Sequence, residues 1–118
     1  MQYIAITITV PNKTVSNKIT TYLIENKFVS CVNVTSKIKS TYWWENKICK
    51  KDEYLLICKS TKSNFKKIVE EVKKIHPYKV PEIICFDIKD GNTDYLNWIK
   101  DNTMQRTNRC LKTILKNK

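Results

Sequence analysis

Strict alternation opens the chain. In "MQYIAITITV", Ile4, Ile6, Ile8 and Val10 fall on one side of an extended backbone and Ala5, Thr7 and Thr9 on the other. This predicts a strand with one face in the core. Pro11, which has no N–H for a ladder, ends it. The period then lengthens: Val15, Ile19, Tyr22 and Leu23 stand at i, i+4, i+7 and i+8, an amphipathic helix running to about Lys27. β-type residues return from "FVSCVNV" to "STYWW" and again through "KICKKDEYLLICKS". Between these arms lies Glu45-Asn46, and Asn46 tolerates the positive φ of a tight hairpin turn. A turn centred there pairs Trp44 with Lys47, Val34 with Ile57 and Asn33 with Cys58, unless a bulge shifts the register.

A second helix follows, with Phe65, Ile68, Val69, Val72 and Ile75 on one stripe, lysines opposite, and Thr61 or Ser63 as the expected N-cap. After "HPYKVP" the run "EIICFDI" is almost continuously apolar, which predicts a strand buried on both faces. "DGN" turns the chain, and Tyr95, Leu96, Trp98 and Ile99 mark a short third helix. The order strand, helix, strand, strand, helix, strand, with a helical extension, predicts an α+β ferredoxin-like sandwich with helices on one face of the sheet.

The hairpin is too long for the layer that covers it. Each arm of about 14 residues extends about 46 Å at roughly 3.3 Å per residue, against about 23 Å for the first strand and about 21 Å for the first helix. The distal half therefore projects, carrying Tyr42 and Trp44 on one face and Trp43 on the other. A bare aromatic ribbon in water invites association, so a homo-oligomer is expected, with other copies packed on the ribbon.

Composition adjusts this picture little. At 118 residues the chain is expected to be one domain, and no apolar run approaches a membrane span. The alternating start does not resemble a signal peptide, and a cytoplasmic location is expected. Five cysteines (Cys31, Cys49, Cys58, Cys85 and Cys110) include no CxxC pair, so reduced thiols acting as small buried hydrophobes are expected. The net charge of +11 raises nucleic acid as a partner. Against it, the cations are almost all Lys, with only Arg106 and Arg109, and residues 104–118 alone hold five of them with no acid. An RNA-recognition motif would also need a stacking platform on its third strand, and "YLLICKST" offers only Tyr54. No specific nucleic-acid partner is expected.

"CVNV", "YWWENK", "EYLLICKST", "HPYKVPEI" and "TDYLNWI" together resemble the CutA divalent-cation tolerance family in order and spacing. The resemblance covers residues 3–103, which makes 1–103 the family-like domain and 104–118 a basic extension without a clear counterpart. It implies a ferredoxin-like subunit assembled as a homotrimer through its long hairpins. It also implies a role in tolerance of copper and other divalent ions, zinc among them, with no enzymatic reaction. Weaker implications are a likeness to trimeric PII-type small-ligand sensors and a protein-anchoring role. The chain departs from the family at Asn46, where Gly is usual in the turn. Some members carry Cys and His where this chain has Ile8 and Ile75.

Those departures leave His76, the only histidine, as the nitrogen donor for a metal, with Glu82 beside it as carboxylate. Copper and zinc want three or four donors, so neighbouring copies would have to contribute. The alternative is structural: His76 ends a helix, and Pro77 and Pro81 stiffen the segment after it. A helix C-terminus favours imidazolium, which opposes metal binding. Asn33, Glu53 and Lys59 are polar in otherwise apolar arms, and with Tyr42, Trp44 and Tyr78 they define a candidate inter-subunit pocket. A plain buried hydrogen-bond network is the competing reading for them.

Overall fold

The computed structural model describes residues 1–104. The elements run β1 (Tyr3–Val10), α1 (Lys13–Glu25), β2 (Cys31–Val34), β3 (Ile38–Trp44), β4 (Lys47–Thr61), α2 (Phe65–Ile75), β5 (Ile83–Ile88) and α3 (Thr93–Asp101). It is an α+β fold with one antiparallel sheet ordered β2-β4-β1-β5, while β3 pairs with the distal half of β4. The basic extension lies outside the described residues from position 105 onward, and with it Cys110 and both arginines.

The alternation in β1 sets the layers. Ile4, Ile6, Ile8 and Val10 are fully buried and share one face with Leu56 and Cys58 of β4. Against that face pack Ile19 and Leu23 of α1 and Ile68 and Val72 of α2. Fully burying a side chain of this size contributes about 1.5–3 kcal/mol. Asn12 caps α1 by accepting from the Val15 N–H at 2.9 Å. The expected cap of α2 does not form: Thr61 precedes a 3-10 turn (Lys62–Asn64) that contains Ser63, and their hydroxyls bond each other at 3.2 Å.

The hairpin turn forms as its residues require, with positive φ at both Glu45 and Asn46 and Trp44 opposite Lys47. The register further back differs from expectation. Val34 faces Leu56 and Asn33 faces Ile57, whereas Ile38 faces Glu53. Three residues on the first arm (35–37) stand against two on β4 (Tyr54 and Leu55), one extra residue, a bulge that separates β2 from β3. Thr35 holds it to β4 in both directions. Its N–H donates to the Leu55 carbonyl at 3.0 Å, and its hydroxyl accepts from the Leu55 N–H at 3.1 Å.

The expectation for "EIICFDI" is corrected. β5 is an edge strand, and Ile84 and Phe86 are 48% and 54% exposed on the face the helices do not cover. A continuous apolar run shows that both faces can be buried, not that this chain alone buries them. The cysteines need a similar correction. Among the described cysteines Cys58 alone is buried, its thiol pushed up to about 12 chiefly by burial. Cys31, Cys49 and Cys85 are half-buried free thiols. α3 lies against β4 and buries Ile99 completely, outside the main core. Among the described residues no helix is long and apolar enough to cross a membrane.

Candidate functional site

The sheet face turned away from α1 and α2 carries Ala5, Thr7 and Thr9 of β1 and Leu55 and Ile57 of β4, with Glu53 and Lys51 further along β4. Proline geometry brings a loop onto it. His76 is the C-cap of α2, its N–H donating to Val72, and its backbone is extended (φ −83°, ψ 134°), as a residue before proline must be. Glu82, at the far end of the loop, accepts from the Thr7 hydroxyl at 3.1 Å. Between these anchors, Pro77–Val80 face the β3–β4 ribbon across a cleft of about 800 Å³.

The histidine is held by backbone on both sides. Its Nδ1 accepts from the Tyr78 N–H at 3.1 Å, and its Nε2 lies 2.8 Å from the Thr9 carbonyl. A carbonyl only accepts, so Nε2 carries the proton and the ring is the neutral tautomer. Burial is the largest influence on the ring and lowers its pKa, outweighing the Thr9 carbonyl. The expected pull of the helix terminus toward imidazolium is thus overridden. With Nδ1 and Nε2 both engaged, His76 offers no free lone pair.

Tyr78 carries the polar link across the cleft. Its hydroxyl donates to Glu53 at 2.6 Å, a charge-assisted length, and Lys51 stands 3.9 Å over its ring. Burial first, and then the Glu53 carboxylate, hold the phenol well above its usual range. Glu53 is only 5% exposed and forms no ion pair among the described residues, so this bond is its main compensation for lost water.

The structure divides the six expected pocket residues. Tyr42, Trp44, Glu53 and Tyr78 line this cleft together, with Glu82 at its edge. Asn33 and Lys59 do not line it; they bond one another across β2 and β4, beside the Cys31 thiol, which lies 3.6 Å from the Asn33 oxygen. Lys51 was missed, although its place two residues before Glu53 put it on the same face. Thr9 and Ser40 were missed too, for want of any signal that a loop crosses the open face.

Among the described residues no group of three or more His, Cys, Asp or Glu side chains could hold a metal ion. His76 and Glu82 sit at opposite ends of one loop; both ring nitrogens of His76 are spent on Thr9 and Tyr78, while one oxygen of Glu82 accepts from Thr7. The donors among the described residues of one chain therefore do not fit a resident copper or zinc centre.

Residues 4–102 match the family model described as "CutA1 divalent ion tolerance protein". The chain is 41% identical over 96 residues to the divalent-cation tolerance protein CutA of Thermus thermophilus, covering 81% of this chain and 93% of that one. It is also 41% identical over 102 residues to the chloroplastic protein CutA 1 of Oryza sativa, covering 86% of this chain but 58% of the rice protein. The solved Thermus structure superposes with a TM-score of 0.85 over 86% of this chain and 99% of its own, at 38% identity. The rice CutA1 crystal structure gives 0.86 over 89% and 96%, at 40% identity. A structure titled periplasmic divalent cation tolerance protein CutA, from Archaeoglobus fulgidus, gives 0.82 over 85% and 97%, at 35% identity.

Proposed function

Because the chain belongs to the CutA1 divalent ion tolerance family, we propose that it acts in tolerance of divalent cations, copper foremost, by binding them and not by catalysis. The working unit is a homotrimer of ferredoxin-like subunits. One observation carries the assembly: large apolar side chains stand open on a single chain, Ile84 and Phe86 on the edge strand and Trp43 (71% exposed) and Ile48 (62% exposed) on the ribbon. Relatives named chloroplastic and periplasmic give no single compartment, and a cytoplasmic location is part of the proposal only.

No donor set forms among the described residues of one chain, so the ion is held where copies meet. Glu82 is the proposed carboxylate, being exposed at the rim of the cleft. His76 serves by fixing the loop that carries it. A calorimetric copper(II) titration with thiols blocked tests this. Saturable binding at a fixed ratio per trimer, lost in Glu82→Gln, is expected. Failure of the wild type to bind, or equal binding by the variant, would overturn it.

A second reading is favoured by the cleft itself. About 800 Å³ walled by Tyr42, Trp44 and Tyr78 over the Glu53 carboxylate suits a small organic ligand, as in a trimeric sensor.

A further inference from the structure

A second cleft, of about 400 Å³, opens on the other side of the sheet, between the first turns of α1 and the bulge at residues 35–37. Neither the expected metal ligands nor the expected pocket residues line it. Its charge is one-signed: Lys13 and Lys37 border it and no carboxylate does. Neither lysine is in an ion pair among the described residues. Positive charge left unneutralised around a concavity attracts an anion.

A buried hydroxyl supplies the independent sign of a ligand. Ser16, one turn into α1, is 3% exposed and lines the cleft. Its backbone N–H is spent on Asn12, but its hydroxyl makes no hydrogen bond among the described residues. A serine in a helix ordinarily bonds a nearby carbonyl; here the hydroxyl is left uncommitted where it opens on the cleft, free to bond what enters. The Tyr54 hydroxyl, also on the lining, is likewise without a partner among the described residues. Asn17 and Ser36 add further donors at the rim. The helix begins here too, and the positive end of its dipole favours an anion in the same place.

Two ammonium groups, two uncommitted hydroxyls and a helix N-terminus are the recognition chemistry of a tetrahedral oxyanion. We propose that this cleft binds phosphate, free or as the monoester of a small molecule. The cleft exceeds the needs of one phosphate group, leaving room for an organic substituent. The inference does not depend on how divalent cations are bound.

The test titrates the full chain, in its native assembly and at fixed ionic strength, with inorganic phosphate and separately with adenosine 5′-monophosphate. Three variants accompany it: Ser16→Ala, Lys13→Ala/Lys37→Ala, and the control Lys66→Ala/Lys73→Ala on α2. Saturable binding is expected, weakened at least tenfold by Lys13→Ala/Lys37→Ala and several-fold by Ser16→Ala, with the control unchanged. Tighter binding of the monoester would identify an organic phosphate as the ligand, and equal binding would identify the free ion. Ser16→Ala leaves no new unpaired group, so it also keeps the test valid if the double variant misfolds. Unsaturable binding, or equal weakening by the control, would reduce the effect to diffuse attraction by a basic protein and overturn the proposal.

Discussion

β4 passes through two different environments in one molecule. Its second half, from Leu56 to Thr61, lies between β1 and β2 under two helices, and Leu56, Cys58, Ser60 and Thr61 are fully buried. Its first half pairs only with β3, and there Ile48 stands 62% exposed beside Trp43 and Trp44. The local chemistry is similar, β-branched, aromatic and sulfur side chains interleaved with lysines. What differs is the layer available to cover it. An apolar side chain states that burial is favourable; only the length of the neighbouring elements states whether this chain supplies the cover. The half that lacks it is the half expected to be covered by other copies.

Substitutions should separate the two halves. Leu56→Ala cuts into the covered half, and a loss of about 2–5 kcal/mol is expected from equilibrium denaturation. A loss as small as that of an exposed side chain would show that the helices do not seal this face. Tyr78→Phe acts where the halves meet. It leaves Glu53 buried without its hydroxyl partner, a cost of about 1–3 kcal/mol. A Glu53→Gln/Tyr78→Phe cycle should recover part of that loss, because the stranded charge is then absent.

Acid should loosen the same junction. His76 is neutral when folded and its pKa lies below the usual histidine value, so the unfolded chain binds the proton first as pH falls. Its contribution is therefore present above the ordinary histidine range near pH ~6.5 and is lost as pH falls from there toward the folded pKa. Melting temperatures across that window should decline in the wild type and decline less in His76→Ala, whose stability is lower throughout. Parallel slopes would show that His76 is not the group responsible. The smallest effect belongs to the distal half. Trp43→Ser should change the intrinsic stability of a subunit by no more than about 0.5 kcal/mol, as exposed positions do. Its effect should appear instead in the mass of the assembly.

Most of the fold was legible from periodicity. The strict alternation of residues 4–10 has one extended reading, and the stripe Phe65, Ile68, Val72 has one helical reading. The bulge at 35–37 was not legible, because "TSK" between two β-type runs fits either a continuous arm or an interrupted one. Nor was the edge position of β5, since an apolar strand reads alike at the centre of a sheet and at an edge that another molecule covers. The site was half legible. Two prolines after His76 announced a rigid loop, and Glu53 in an apolar arm announced a polar partner. That Asn33 and Lys59 pair with each other follows from the β2–β4 register, but that the partner of Glu53 is Tyr78 depends on where that loop crosses the sheet. Local pattern does not encode such a crossing.

The most direct measurement is the mass of the full-length protein in solution, by sedimentation equilibrium from micromolar concentrations downward, beside Trp43→Ser. The account predicts a wild-type species of three times the 14.0 kDa chain mass that persists on dilution, and a variant that dissociates. A stable wild-type monomer with a folded hairpin would contradict it.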